Sequence, residues 1–438
     1  MSFTRFAARL CLAALVASSG SCRRAEKNAI TLPPSTHAIS VVERAHIFDE
    51  LWQTINDEYY DSSFNGVDWR GVRERYRPRI EAAKDDFEFY SLCELAVAEL
   101  KDSHTQFEPA PSPDAGAPVS QGSPRIALAE VEGKTAVVSV EPGSLAERAD
   151  VRAGMIVRGV NGRPVEEIDA QFSRLVAGAS SARAYRNLLA TSILYGRVWG
   201  VPRVLRLADP DGKEFDYEVR REPVDVSPRL ESRRLASGFA YIKFDQWLKP
   251  VDQKFDEALD SLRDAPALVM DLRANGGGAT DVMLNITSNF FAAPTYYGGF
   301  KTRDGSVDKY FTHKPARVYV KPIVILVDGR SASASETSAL FMQEAGRVFV
   351  VGAPTAGATH NQRAKKLSDG STLRYSIRAY LTPKGRDPEG TGVMPDDLAP
   401  QTISDLWRAR DAALEAAEKK LRELTARGAG GTPSDRER

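Results

Sequence analysis

From Gly238 onward the chain alternates two kinds of segment, and this alternation limits its fold more than any other feature. "FAYIKFD", "ALVMDLR", "PIVILVD" and "RVFVVG" are strand-length apolar runs, whereas "QKFDEALDSLRD", "ATDVMLNITSNFF" and a stretch opening near Ser335 carry apolar residues at helical spacing. Strands without a polar face must be covered on both sides, and intervening helices supply the cover. Residues 226–425 are therefore expected to form a layered α/β core on largely buried parallel strands.

Upstream the pattern differs. "RAHIFDELWQTINDEYY" places Ile47, Phe48, Leu51, Trp52 and Ile55 on one helical face, and "DDFEFYSLCELAVAELKDSH" does the same with Phe89, Leu92, Val97 and Leu100, so 41–108 is expected to be a helical N-terminal unit. Cys93 lies among apolar residues there and reads as a small buried hydrophobe. The Pro/Gly/Ser-rich stretch 109–123 reads as a linker. Over 124–225, short strands, a short helix and a hairpin turning at Asp211-Gly212 describe a β-rich module, and 426–438 reads as a disordered tail.

Residues 1–22 combine Arg5 and Arg9, the apolar run "LCLAALVA", too short to span a bilayer, and small residues leading to Cys22. This predicts an export signal, followed by a tether over 23–40, and a location in a periplasm or on a membrane facing the cell exterior. Cys22 leaves three outcomes open: a lipid on its thiol that anchors the protein to a membrane, plain cleavage nearby, or an uncleaved anchor. Lys+Arg and Asp+Glu both number 59, so no positive excess favours nucleic acid as a partner. No H-E-x-x-H or paired-cysteine spacing occurs, and neither a metal nor another cofactor is indicated. Nothing in the composition bears on oligomeric state.

The chemistry-bearing stretch is "VILVDGRSASASETSALF", where a strand runs through a turn holding Ser331, Ser333 and Ser335 into a helix. A serine at such a helix start meets free N–H groups and the positive end of the helix dipole, which favour a developing negative charge. Taken alone, the same serines could simply form the turn and cap the helix, roles assigned here to Ser331 and Ser335. A second turn, "DLRANGGG", ends a buried strand in glycines that let backbone N–H groups approach a ligand.

"SVEPGSLAERADVRAGMIVRGVNG", "DLRANGGG", "SASASE" and "GAPTAG", in this order along the chain, resemble the tail-specific (C-terminal processing) serine protease family over most of its length. The resemblance implies a multidomain α/β protein in which 124–225 is a PDZ-like domain recruiting polypeptide and 226–425 is a crotonase-like (ClpP/crotonase) α/β catalytic core. It places the nucleophile at Ser333, with Gly276, Gly277 and the N–H of Ala334 forming the oxyanion hole.

Many members carry a lysine base in a G-x-x-T-x-G-K motif, but "GAPTAGATH" has Ala358 in that place. Lys365 and Lys366 lie too far along a strand to substitute without rearrangement. The tricorn-like branch uses histidine instead, in a Ser-His-Ser-Glu tetrad. "LKDSHTQF" supplies Ser103 and His104, and "DPEGTGVMPD" supplies Glu389, both matching that branch. An imidazole is suited to take the serine proton near neutral pH. His360, two residues past Ala358, is the rival base. The resulting expectation is an exported serine endopeptidase in which recruitment and chemistry occupy different domains. The alternative is a non-catalytic ligand- or peptide-binding protein on the same scaffold, which would need neither Ser333 nor His104.

Overall fold

A computed structural model describes residues 39–110, 122–175, 180–195 and 203–430. The export signal, Cys22, the tether apart from its last residues, and most of the linker lie outside the described residues. Within them, the alternation beyond Gly238 becomes a six-stranded sheet. Ala240–Phe244, Leu268–Asp271, Ile323–Val327 and Phe349–Gly352 pair in parallel, with Leu230–Arg234 antiparallel at one edge and Asp397–Leu398 parallel at the other. Successive side chains face opposite layers. Ile242, Met270, Ile325 and Val350 pack with the helices Val251–Ser261, Thr280–Ser288 and Ala334–Glu344, while Tyr241, Val269, Val324 and Val351 meet Ala413, Ala417 and Leu421 of the helix Ala412–Gly430. That last helix runs on to Gly430, into the segment expected to be a tail.

The N-terminal unit is helical, as expected: Val41–Glu58, Trp69–Glu81 and Asp86–Ala98, with Ile47, Phe48, Leu51, Ile55, Phe89, Leu92, Val97 and Leu100 buried. Cys93 is buried and unpaired with another cysteine. The unit is not separate from the core, however. Gln106–Glu108 is a strand pairing antiparallel with Thr372–Arg374, in a second sheet that also contains Tyr296–Lys301, Val307–Phe311 and Asn361–Lys366. Leu367, Leu373 and Tyr375 of the core pack within the helical unit's own apolar cluster.

The β-rich module has the strand order Ile126–Val131, Lys134–Val140, Ile156–Val160, Arg203–Ala208, Glu214–Val219, and its last hairpin turns at Asp211-Gly212, with Gly212 at φ 85°. Three helices, Leu145–Arg148, Val165–Leu175 and Ala182–Tyr195, interrupt the strands. The start of the third leans on the core, with Asn187 Nδ2 donating to the Gly329 carbonyl at 2.6 Å.

Candidate active site

The helix Ala334–Glu344 starts at Ser333, whose backbone is held at φ 53°, ψ −118°. A non-glycine residue in that region is strained and persists only where its surroundings over-determine it. Here they do. The Ser333 N–H donates to the Ala358 carbonyl at 2.7 Å and to Glu336 Oε2 at 3.1 Å. Glu336 is fully buried beneath the turn and also accepts from the Gly357 N–H, the Ala358 N–H and the Thr355 hydroxyl. Burial pushes its pKa up, to about 7, against the pull of these donors.

The three serines of the turn separate into distinct roles. Ser331 accepts from the Asp328 N–H at 3.0 Å and donates to the Leu272 carbonyl at 2.8 Å, which fixes the turn as expected. Ser335 is not the N-cap. It lies inside the helix, accepts from Trp247 Nε1 at 2.8 Å and donates to the Asn275 carbonyl at 2.9 Å. The strained backbone puts the helix start two residues earlier than the sequence suggests, at the serine with the least committed side chain.

The glycine turn lies against this start. A Cβ built on Gly277, at φ +101°, would lie 2.6 Å from Ser333 Cβ and 2.9 Å from both the Ala332 carbonyl oxygen and the Ala334 nitrogen, so only glycine fits. The Gly277 N–H donates to Asn275 Oδ1 at 3.0 Å, whereas the N–H groups of Gly276 and Ala334 have no partner among the described residues. Of the three donors expected to form an oxyanion hole, these two are free.

His104 is 8 % exposed, its N–H donates to Asp102 Oδ1 at 2.9 Å, and its ring Nδ1 has no partner among the described residues. One side-chain nitrogen or oxygen from each of Asp102, His104 and Glu389 falls within 4.8 Å of the others. Their carboxylate oxygens are already engaged: Asp102 by Tyr59 and Thr105, Glu389 by the N–H of Thr359 at 2.6 Å and the N–H of His360 at 3.2 Å. Glu389 thus holds Thr359, the residue beside Ala358, whose carbonyl accepts from the Ser333 N–H. Ser103 does not touch Glu389 directly in the hydrogen-bond pattern. Ser180 stands between them, accepting from the Ser103 N–H at 2.7 Å and donating to Glu389 Oε1 at 2.5 Å. Sequence reasoning missed Ser180, because a serine in "GASS" carries no spacing or periodicity that marks it.

The two histidines are driven apart electrostatically. Burial lowers the pKa of His104, Glu389 and Asp102 oppose the shift, and His360 reinforces it. His360 is also buried, which alone would lower its pKa, yet Asp102, Asp387 and Glu389 stand 3.9, 3.6 and 4.0 Å from its ring nitrogens and raise it to about 10. At those separations the contacts are between charges rather than hydrogen bonds. Near neutral pH His104 is neutral and able to accept a proton, while His360 is a cation and is not. Lys365 is committed elsewhere: its Nζ donates to Thr54 Oγ1 at 2.9 Å.

Comparison with known proteins matches residues 238–398 to peptidase family S41, residues 40–98 to the tricorn protease C1 domain and residues 137–185 to a PDZ domain. The carboxyl-terminal-processing protease of Synechocystis is 24% identical over 409 residues, covering 89% of each chain. The chloroplastic carboxyl-terminal-processing peptidase 2 of Arabidopsis thaliana is 28% identical over 391 residues, covering 85% of this chain and 71% of its own. Among solved structures, the photosystem II D1 C-terminal processing protease superposes with a TM-score of 0.58 at 23% identity, over 86% of this chain and 97% of that one. Mature CPAF superposes with a TM-score of 0.69 at 13% identity, over 90% and 99%.

Proposed function

Because this chain belongs to the tail-specific (C-terminal processing) protease family, peptidase family S41, and is a serine peptidase, we propose that it is an exported endopeptidase whose nucleophile is Ser333 and whose general base is His104. The observation that carries this reading is the Ser333 turn: a strained serine at the start of a buried helix, beside two N–H groups with no partner among the described residues. Ser333 Oγ attacks the scissile carbonyl and its proton passes to the His104 ring. The N–H groups of Gly276 and Ala334 stabilise the oxyanion, at a helix N-terminus that favours negative charge. His104 then returns the proton to the departing amine, and water activated by the same ring hydrolyses the acyl-enzyme. Ser103 and Glu389 orient the imidazole, and the PDZ-like module draws in the polypeptide by strand addition along Ile126–Val131, an edge strand of its sheet. Export follows from the leader 1–22, and Cys22 is its lipid-accepting position.

The test is covalent labelling of the purified protein by a fluorophosphonate. Ser333→Ala is expected to abolish labelling and His104→Ala to slow it by orders of magnitude. Labelling that survives Ser333→Ala refutes the assignment. A secreted fraction lacking any lipid on Cys22 in radiolabelled-palmitate cells refutes the anchoring.

A further inference from the structure

We propose that Ser180, contributed by the PDZ-like module at the entrance to the helix Ala182–Tyr195, is a positioning residue of the active site that couples Ser103 to Glu389. The inference rests on the reading of Ser333 and His104 given above. Three hydrogen bonds carry it. The Ser103 N–H donates to Ser180 Oγ at 2.7 Å, the Ser180 N–H donates to Ser103 Oγ at 2.8 Å, and Ser180 Oγ passes its own proton toward Glu389 Oε1 at 2.5 Å. A hydroxyl has one proton and two acceptor positions, so it can accept from one side and donate to the other, which an alanine or a larger amide cannot do in this space. The reciprocal Ser103–Ser180 pair clamps the backbone immediately before His104, and the Asp102 carboxylate clamps the His104 N–H. The ring, with Nδ1 unpartnered, is therefore aimed by its tethered backbone and by the Glu389 charge.

The neighbourhood holds Ser180 in register. Ser181 Oγ donates to the Ala356 carbonyl, and the Arg183 guanidinium donates to the carbonyls of Thr355 and Thr391, the latter at 2.7 Å. These carbonyls belong to the loops that carry Ala358 and Glu389. Gly390 at φ +76° has no room for a side chain, since an added Cβ would lie 2.8 Å from the Ser180 carbonyl oxygen. The groups facing His104 are Asp102, Glu389 and His360, with Tyr60 and Asp387 around His360. Without the Ser180 hydroxyl, Glu389 Oε1 loses its donor, the carboxylate can pivot about Oε2, which Thr359 and His360 still hold, and its upward pull on the His104 pKa weakens.

The experiment measures peptide hydrolysis by the full chain as a function of pH. Ser180→Ala is expected to lower kcat about 10–100-fold, the range found when a partner that orients an active group is removed, with KM changed by no more than about threefold. Its acid limb in kcat/KM moves to lower pH. Ser180→Cys keeps the shape and weakens the hydrogen bond, so a hydrogen-bonding role predicts loss there too, whereas a packing role predicts wild-type rates. In a Glu389→Gln background Ser180→Ala is expected to cost little more, because the two act through one link. If Ser333→Ala is inactive while Ser180→Ala or Ser180→Cys keeps wild-type kcat and pH profile, the inference is overturned and the parent reading stands. If Ser333→Ala is active, the parent reading itself fails.

Discussion

Gly277→Ala tests the site at its tightest point. The new Cβ would start 2.6 Å from Ser333 Cβ and must reach at least the 3.4 Å of ordinary contact, and the atoms opposing it on the other sides are the Ala332 oxygen and the Ala334 nitrogen, both backbone. None is the far end of a flexible side chain. The Ser333 N–H is also pinned by Ala358 and Glu336, so relief comes only by moving the turn itself. An alanine at φ +101° adds about 1–3 kcal/mol of backbone strain, and overpacking a filled site adds about 1–3 kcal/mol more. The predicted loss of stability is about 2–6 kcal/mol. A displacement of a reacting atom on the order of 1 Å costs about 100-fold in rate, so kcat/KM is expected to fall at least that far. Thermal unfolding and hydrolysis of a fluorogenic peptide are measured on the same preparations. Gly276→Ala is the stability control, since its Cβ meets nothing within 4 Å, and its unfolding temperature should match that of the wild type. The reasoning is refuted if Gly277→Ala retains more than a third of wild-type kcat/KM, or if Gly276→Ala is as destabilised as Gly277→Ala.

Three further outcomes follow from the same structure. With His104 held below its ordinary pKa by burial, the rise of kcat/KM with pH should have its midpoint below about 6.5, and His104→Ala should remove that limb; a midpoint well above 7 would point to a different base. His360 has a folded pKa of about 10 above its unfolded value, so its stabilisation is full below about pH 6.5 and is lost as pH rises toward 10; His360→Gln should flatten the fall of stability across that window, by a few kcal/mol in urea titrations, and an unchanged slope would contradict the charge cluster. Arg273 is paired with Asp271, which is wholly buried, and with Asp411 at the start of the last helix; Arg273→Met strands a buried carboxylate and should cost about 3–5 kcal/mol, read as a shift of the urea midpoint, while a loss under 1 kcal/mol would show that the pair is solvated.

Much of the core was legible because its signals are local. The four parallel strands are predominantly apolar runs, the Asp211-Gly212 turn is specified by two residues, and the serine and glycine turns sit where apolar runs stop. The helix Trp69–Glu81 was hidden by composition: its stripe of Trp69, Val72, Tyr76 and Ile80 is embedded in five arginines. The second sheet was hidden because its strands are partly polar and pair at long range, as with Gln106 and Arg374. The role of Ser335 was misjudged because capping statistics cannot see a left-handed residue at Ser333. Expecting recruitment and chemistry in different domains also overlooked Ser180 to Arg183, whose contacts are visible only once residues far apart in the chain are brought together.

The pairing of Gln106–Glu108 with Thr372–Arg374 has a consequence for biosynthesis. His104 enters the strand that this pairing fixes, and Glu389 lies farther along than its partner strand. During synthesis the helix bearing Ser333 can form while the seat of His104 is still incomplete, since the strand that completes it has not yet emerged. On the assignment proposed above, a chain paused or cut before that point has Ser333 but no oriented His104. On the proposed assignment, proteolytic competence therefore arrives only with about the last sixth of the polypeptide, once Thr372–Leu381 has emerged.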